Sequence, residues 1–310
     1  MRSRVLQRSV FFGGIILAAL LRSTLVAAAE PKPVPAGTVP AIGVGTISTT
    51  VTDLDGAVRF YVDNLDFRLL GPIRTERSSQ TAQLRLGDET IELWSFSDSP
   101  RVEPTTTHSN DVWFQHLAIV VRDMDQAYQR LRRARVVHIS FGPQTLPEWN
   151  RAAAGIRAFY FRDPDGHPLE LIEYPTDKGQ PRWQQPTERL FLGIDHTAIA
   201  VTDTERALRF YQDRLGFRIV GESENYGTEQ EHLNGVFGSR VRITSLRSDT
   251  GPGVELLEYI APSGGRRIPP DFSEFHPAYR ETRIIVRHPK GDPAVMERDP
   301  DGHALRLIAE

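Results

Sequence analysis

Three stretches of the chain share one pattern of apolar and polar positions. Val44 to Tyr61 (VGTISTTVTDLDGAVRFY), Phe114 to Leu131 (FQHLAIVVRDMDQAYQRL) and Ile194 to Tyr211 (IDHTAIAVTDTERALRFY) each open with apolar residues in alternation, the period of a half-buried strand. Asp53 or Asp203 then stands where a helix N-cap belongs. The apolar spacing next becomes helical, through Ala57, Phe60, Tyr61 and Leu65 in one copy and Ala207, Phe210, Tyr211 and Leu215 in another. One copy would be an ordinary amphipathic helix after a strand. Three in register define a repeated strand–helix unit.

Each unit continues into short strands. The first has them around Phe67 to Leu70, Ala82 to Leu86 and Thr90 to Trp94, before the polar stretch Ser97 to Asp111. The second ends in Ala158 to Phe161, the turn Asp163-Pro164-Asp165-Gly166 and the strand Pro168 to Tyr174; proline presets such a turn and glycine relieves its last position. The third places strands near Phe217 to Gly221, Val241 to Leu246 and Val254 to Tyr259, with Gly235 and Gly238 read as turns. The closing strands IELW (91–94), LELI (169–172) and VELL (254–257) carry glutamate at the same place.

A fourth unit is shorter. RDPDGH at 298–303 repeats 162–167 letter for letter, and Glu281 to His288 can be laid on His116 to Asp123, which leaves no room for a helix and inner strands. The expected fold class is α+β, built of tandem βαβββ modules, three complete and the fourth truncated. Residues 44–176 and 191–310 are the two expected domains, joined by a linker over 177–190 rich in Pro, Gln and charge.

The amino terminus changes the picture of where the protein works. Arg2, Arg4 and Arg8 precede an apolar run from Val10 to Leu21, and Ala27-Ala28-Ala29 stands before Glu30. Residues 1–29 therefore read as a secretory signal peptide, and 30–43, with PKPVPAG, as an extended linker. The expected location is outside the cytoplasm, periplasmic or secreted, with no stable membrane insertion after cleavage; an uncleaved anchor is the alternative, disfavoured because roughly 12 apolar residues are too few to span a bilayer. The formal charge of -3 offers no footprint for nucleic acid. The absence of cysteine removes disulfides and thiolate ligands, so any metal must be held by His, Asp or Glu.

The strand–helix openings, the Asp-Pro-Asp-Gly turns and the glutamate-bearing last strands resemble the vicinal oxygen chelate superfamily, which includes glyoxalase I, methylmalonyl-CoA epimerase, extradiol dioxygenases and the bleomycin and fosfomycin resistance proteins. The resemblance covers about residues 44 to 310. It implies modules paired into curved half-barrel sheets, each with a divalent metal on its concave face. It also places one ligand at the start of a module's first strand and one on its last. Those positions are Thr46 and Glu92 in the first unit, His116 and Glu170 in the second, His196 and Glu255 in the third, and Glu281 and Arg306 in the fourth.

Neighbour pairing, one with two and three with four, would leave every site short of a ligand. Pairing two with three, as in two-domain monomeric members, brings His116, Glu170, His196 and Glu255 to one point. Two imidazoles and two carboxylates suit zinc, nickel, manganese, cobalt or iron. Arg306 would put a fixed positive charge into the other site, which argues against metal there.

The resemblance then implies a metal-dependent lyase or isomerase acting on a small vicinal-oxygen substrate through an enediolate, with Glu170 or Glu255 as catalytic base. A non-catalytic protein that sequesters a small molecule is the competing reading, and an extradiol dioxygenase fits less well. Trp149, Asn234, Arg240 and Arg242 are further candidates to line the pocket and read an anionic substrate. Glu173 and Glu258, three residues beyond the ligand positions, are expected to face the other side as surface charges.

Overall fold

In the computed structural model, residues 38–97, 107–269, 272–287 and 294–310 are described. The signal segment 1–29 and most of the linker 30–43 lie outside the described residues. No helix among the described residues is long and apolar enough to cross a membrane.

The first module comprises β1 (Ala41–Thr50), α1 (Leu54–Leu65), β2 (Arg68–Leu69), β3 (Arg74–Glu76), β4 (Ser79–Leu86) and β5 (Glu89–Phe96). The second comprises β6 (Gln115–Val121), α2 (Met124–Arg133), β7 (Val137–His138), β8 (Gln144–Thr145), β9 (Arg157–Arg162) and β10 (Pro168–Glu173). The third has β11 (Phe191–Val201), α3 (Thr204–Leu208), β12 (Arg218–Tyr226), α4 (Thr228–Asn234), β13 (Arg240–Arg247) and β14 (Gly253–Ala261), and a wider π-helical turn, Arg209–Arg214, extends α3. The fourth is three strands, β15 (Arg280–Val286), β16 (Ala294–Arg298) and β17 (Ala304–Ala309); contrary to the sequence expectation one inner strand is kept, β16, which pairs with β17 as β9 does with β10.

The aspartates before the first three helices cap them. Asp53, Asp123 and Asp203 accept hydrogen bonds from the backbone N–H of Gly56, Gln126 and Arg206, satisfying donors that a helix start leaves free. Buried Ala57, Tyr61 and Leu65 of α1, and Met124, Ala127 and Leu131 of α2, form the apolar stripe that the spacing predicts.

Pairing follows modules rather than sequence halves. One sheet runs β16-β17-β15-β1-β5-β4-β2 with β3 beside β4, uniting the first and fourth modules; the other runs β12-β13-β14-β11-β6-β10-β9-β7 with β8 beside β9, uniting the second and third. The stretches 44–176 and 191–310 thus each supply one half of both sheets. At the junctions β1 runs antiparallel to β15 and β11 antiparallel to β6.

Helices α1 and α2 share one core with strands of both sheets: Leu54, Tyr61, Met124 and Leu131 pack with Leu84, Leu93, Ile119 and Leu171. A second core joins Ala207 and Tyr211 to Leu256 of one sheet and Ile284 and Leu307 of the other. The helices therefore sit between the sheets.

The repeated RDPDGH turns bind the sheets together. Asp163 accepts the Tyr61 hydroxyl at 3.0 Å, and Asp299 accepts that of Tyr211 at 3.2 Å. Two residues on in each turn, Asp165 accepts from the backbone and hydroxyl of Thr52, and Asp301 from those of Thr202. The motif is a structural clamp.

Two segments read as linker are built into the fold. β1 begins at Ala41, whose N–H donates to the Leu215 carbonyl at 2.8 Å, so residues 41–43 belong to the strand. Within 177–190, Pro181–Gln184 forms a 3-10 turn that buries Trp183. Glu173 and Glu258 do face away from the concave surface, yet they are more than surface charges: Glu173 accepts the Met124 N–H, and Glu258 the N–H and hydroxyl of Thr204. Each carboxylate thereby sits at the positive end of its module's helix.

Candidate metal centre

Strand alternation sends Leu117, Ile119, Leu169, Leu171, Val254 and Leu256 to the helices, and the residues between them to the concave face. Those residues include His116 and Ala118 on β6, Glu170 on β10, Ala198 on β11 and Glu255 on β14. Register sets their heights. Ala118 pairs with Glu170, Ala198 with Glu255, and Ala198 with His116 across the module junction. Small alanines beneath the ligand positions leave space above the sheet.

His116 Nε2 lies 2.9 Å from Glu170 Oε2, and His196 Nε2 lies 3.5 Å from the same oxygen. Glu255 Oε2 is 3.5 Å from His196 Nε2. His116, Glu170 and His196 each offer a ligand atom within 4.8 Å of the others. The four residues predicted to converge do so, with Glu255 as the outer member. Its side chain is 18% exposed, against 0% for His116 and 6% for both Glu170 and His196.

A divalent cation fits this set. Both Nε2 atoms are buried and make no hydrogen bond of acceptable geometry, although each stands within 3.5 Å of a carboxylate oxygen. Buried polar atoms of that kind call for a missing partner. Two neutral imidazoles leave two carboxylates to balance a dication, and the hard N/O donors suit the metals expected from the sequence.

Charge coupling follows from burial. Burial is the largest influence on His116 and holds its imidazole below the ordinary histidine range, despite Glu170 beside it. Burial also pushes His196 down, but Glu255, Asp195 and Glu170 together raise it well above that range. Glu170 is destabilised as an anion by burial, yet the His116 and His196 imidazoles close beside it outweigh this and hold it down to about 2.

Asp195 was not legible as a site residue. A β-bulge between Ile194 and His196 lets it turn inward beside His196, whose Nδ1 lies 3.0 Å from its Oδ2. Arg247 donates to both Asp195 oxygens at 2.8 Å, Trp183 Nε1 at 2.8 Å and Gln180 Nε2 at 3.1 Å. Burial opposes the charge, but His196, Arg247 and Trp183 keep Asp195 far below the usual carboxylate range. This partner fixes the His196 ring so that Nε2 faces Glu170 and Glu255. His116 Nδ1, in contrast, is buried without a hydrogen-bond partner.

The centre opens into a cavity. An inner chamber of about 170 Å³ is lined by Glu170, His196, Glu255, Tyr160, Tyr174 and Gln230 among others. Past Ala152, Ile156 and Ser245 it shares walls with an outer vestibule of about 980 Å³. Thr90, Glu89 and Arg182 on the vestibule wall come from the other sheet and the 177–190 segment.

The remaining sequence candidates are not part of the wall. Arg240 pairs with Glu224, and Arg242 with Glu205, on the exposed surface. Trp149 packs on Tyr226 with ring centroids 4.3 Å apart, and next to them Asn150 donates at 2.6 Å to Asn225, which does line the chamber. Asn234 is buried at the end of α4, where its backbone carbonyl accepts the Ser109 hydroxyl.

The first and fourth modules present the alternative set. Ser48 pairs with Glu281, and Arg283 with Arg306, which confirms Glu281 and Arg306 as counterparts of His116 and Glu170. Here the side chains satisfy one another. Arg306 forks onto both Glu281 oxygens at 2.6 and 2.8 Å; Glu92 accepts from Arg74, Gln83, Trp94 and Arg283; Thr46 bonds to Thr90 at 2.9 Å. Three guanidinium groups on two carboxylates occupy the place of a cation.

The family profile described as Glyoxalase/Bleomycin resistance protein/Dioxygenase superfamily matches residues 43–171 and 193–270. The chain belongs to that superfamily. A 2-epi-5-epi-valiolone epimerase from an Actinomyces species is 32% identical over 167 residues, 49% of this chain and 88% of that protein. The lactoylglutathione lyase of Arabidopsis thaliana is 26% identical over 216 residues, 67% of this chain and 66% of that protein. The crystal structure of glyoxalase I from Zea mays superposes with a TM-score of 0.56 at 15% identity, covering 88% of this chain and 92% of that one, a likeness of fold.

Proposed function

We propose that the protein is a divalent-metal-dependent isomerase or lyase that moves a proton next to a carbonyl group of a small substrate with vicinal oxygens. His116, Glu170 and His196 would hold the ion and Glu255 would complete the set. Bound there, the cation would supply Lewis acidity toward the substrate oxygens.

The different surroundings of Glu170 and Glu255 support different roles. Glu170 is buried and tied to both imidazoles, the environment of a permanent ligand. Glu255 lines both chamber and vestibule, and its Oε1 accepts the Ser245 hydroxyl at 2.7 Å while Oε2 faces the centre. In this reading Glu255 takes a proton from a substrate carbon and returns it. The observation that carries this reading is the convergence of His116, Glu170, His196 and Glu255 on one concave face. Kinship with proteins named as an epimerase and a lyase supports it. Export remains part of the proposal on the sequence of residues 1–29, and it disfavours cytoplasmic thioesters as substrates.

Deuterium exchange into α-hydroxy ketones, followed by NMR with metal-loaded protein, tests the chemistry. Exchange should require the metal, and Glu255→Gln should lower its rate by about 10²- to 10⁴-fold while retaining the ion. Metal-independent ligand binding without any exchange would instead support sequestration.

A further inference from the structure

Helix α4 has no counterpart in the first two modules, where short strands β3 and β8 lie at the corresponding place. It forms one wall of the inner chamber and is held from the second module: Ser140 donates to the Leu233 carbonyl and Ser109 to that of Asn234. Gln230 on this helix is 3% exposed, lines the chamber with Glu170, His196 and Glu255, and has a buried Oε1 with no hydrogen-bond partner. An amide oxygen in that state needs a donor from whatever enters.

The charges around the site restrict what can enter. Among the described residues, no lysine or arginine lines the chamber. The cations of the vestibule are Lys178, Arg182, Arg218 and Arg247, and each already faces a carboxylate: Asp177 at 4.0 Å, Glu89 at 2.5 Å, Asp249 at 2.7 Å and Asp195 at 2.8 Å. A phosphate or carboxylate drawn to Arg182 or Arg247 would compete with the buried carboxylate of Glu89 or Asp195, while the pairs of Lys178 and Arg218 stand in solvent, where their charge is screened. A hydroxyl makes no such demand and gives Gln230 Oε1 its donor.

We propose that the substrate is an uncharged, polyhydroxylated carbonyl compound, and that Gln230 is a specificity-determining residue accepting a hydrogen bond from one of its hydroxyls. This rests on the carbonyl chemistry proposed above for the same centre, but recognition and chemistry are separable by experiment.

Zinc-loaded protein is titrated, by calorimetry and ligand-observed NMR, with uncharged ketoses and cyclic polyhydroxy ketones, each beside its phosphate ester. At least one uncharged compound should bind about tenfold more tightly than its ester. Gln230→Leu should weaken that compound about tenfold, about 1.4 kcal/mol, with zinc content unchanged. Gln230→Met, which keeps the side-chain length, replaces the leucine variant should that fail to fold. Tighter binding of the esters, no binding of any uncharged compound, or equal affinity in the Gln230 variant would overturn the proposal. Binding is read without turnover, so a failure of deuterium exchange would count against the catalytic reading only.

Discussion

Asp195 and His196 are neighbours in the chain, yet the two side chains meet, with Asp195 Oδ2 3.0 Å from His196 Nδ1. A regular strand would point them to opposite faces; the bulge at Ile194–His196 removes that alternation. The outcome is a carboxylate–histidine pair whose far nitrogen faces the proposed ion.

Asp195→Asn should therefore lower metal affinity by about 10- to 100-fold, because the ring loses the anion that orients it. Competition against a chromophoric chelator reads this directly, and a retained thermal midpoint would separate it from unfolding. Unchanged affinity would make Asp195 only a partner of Arg247 and Trp183.

Metal binding should also release a proton. His196 in the metal-free protein is raised above its ordinary range, chiefly because Glu255, Asp195 and Glu170 outweigh its burial, so it is protonated near neutral pH. An incoming cation must displace that proton. Affinity then rises with pH and levels off above the raised value. Calorimetry in two buffers of different ionisation enthalpy should show release of about one proton per ion near pH 7.

In the other sheet, Arg306 and Glu281 should matter for stability alone. The Glu281 side chain is 0% exposed and Arg306 supplies its charge partner. Arg306→Leu strands a buried carboxylate and should cost about 3–5 kcal/mol, seen as a thermal midpoint lower by on the order of 10 °C. Glu281→Leu together with Arg306→Leu should recover most of that loss. Neither change should alter metal content.

Much of this arrangement is legible in the chain. The pairing of the second and third modules follows from where histidines occur: only those modules carry His and Glu at both ligand positions, and the structure brings them together. Other features depend on tertiary contacts that local pattern does not encode. The Pro- and Gln-rich segment 177–190 has a linker's composition, but Trp183 is buried against Ala118, Val120 and Ile172 while its indole N–H donates to Asp195. Helix α4 is seven residues, TEQEHLN, too short to show an apolar period, and its clearest marker is Gly235 at φ 67° closing its end. Gln230 was thus invisible as a chamber residue. Glu173 and Glu258 were assigned the correct face, but that face is covered by the helix starts they serve.

The most direct measurement is the metal content of the folded protein after loading and exhaustive dialysis. The account predicts one divalent ion per chain, lost in His116→Ala and in His196→Ala but kept in Glu92→Gln. No bound ion in the wild type, or an ion that survives His116→Ala, would contradict it.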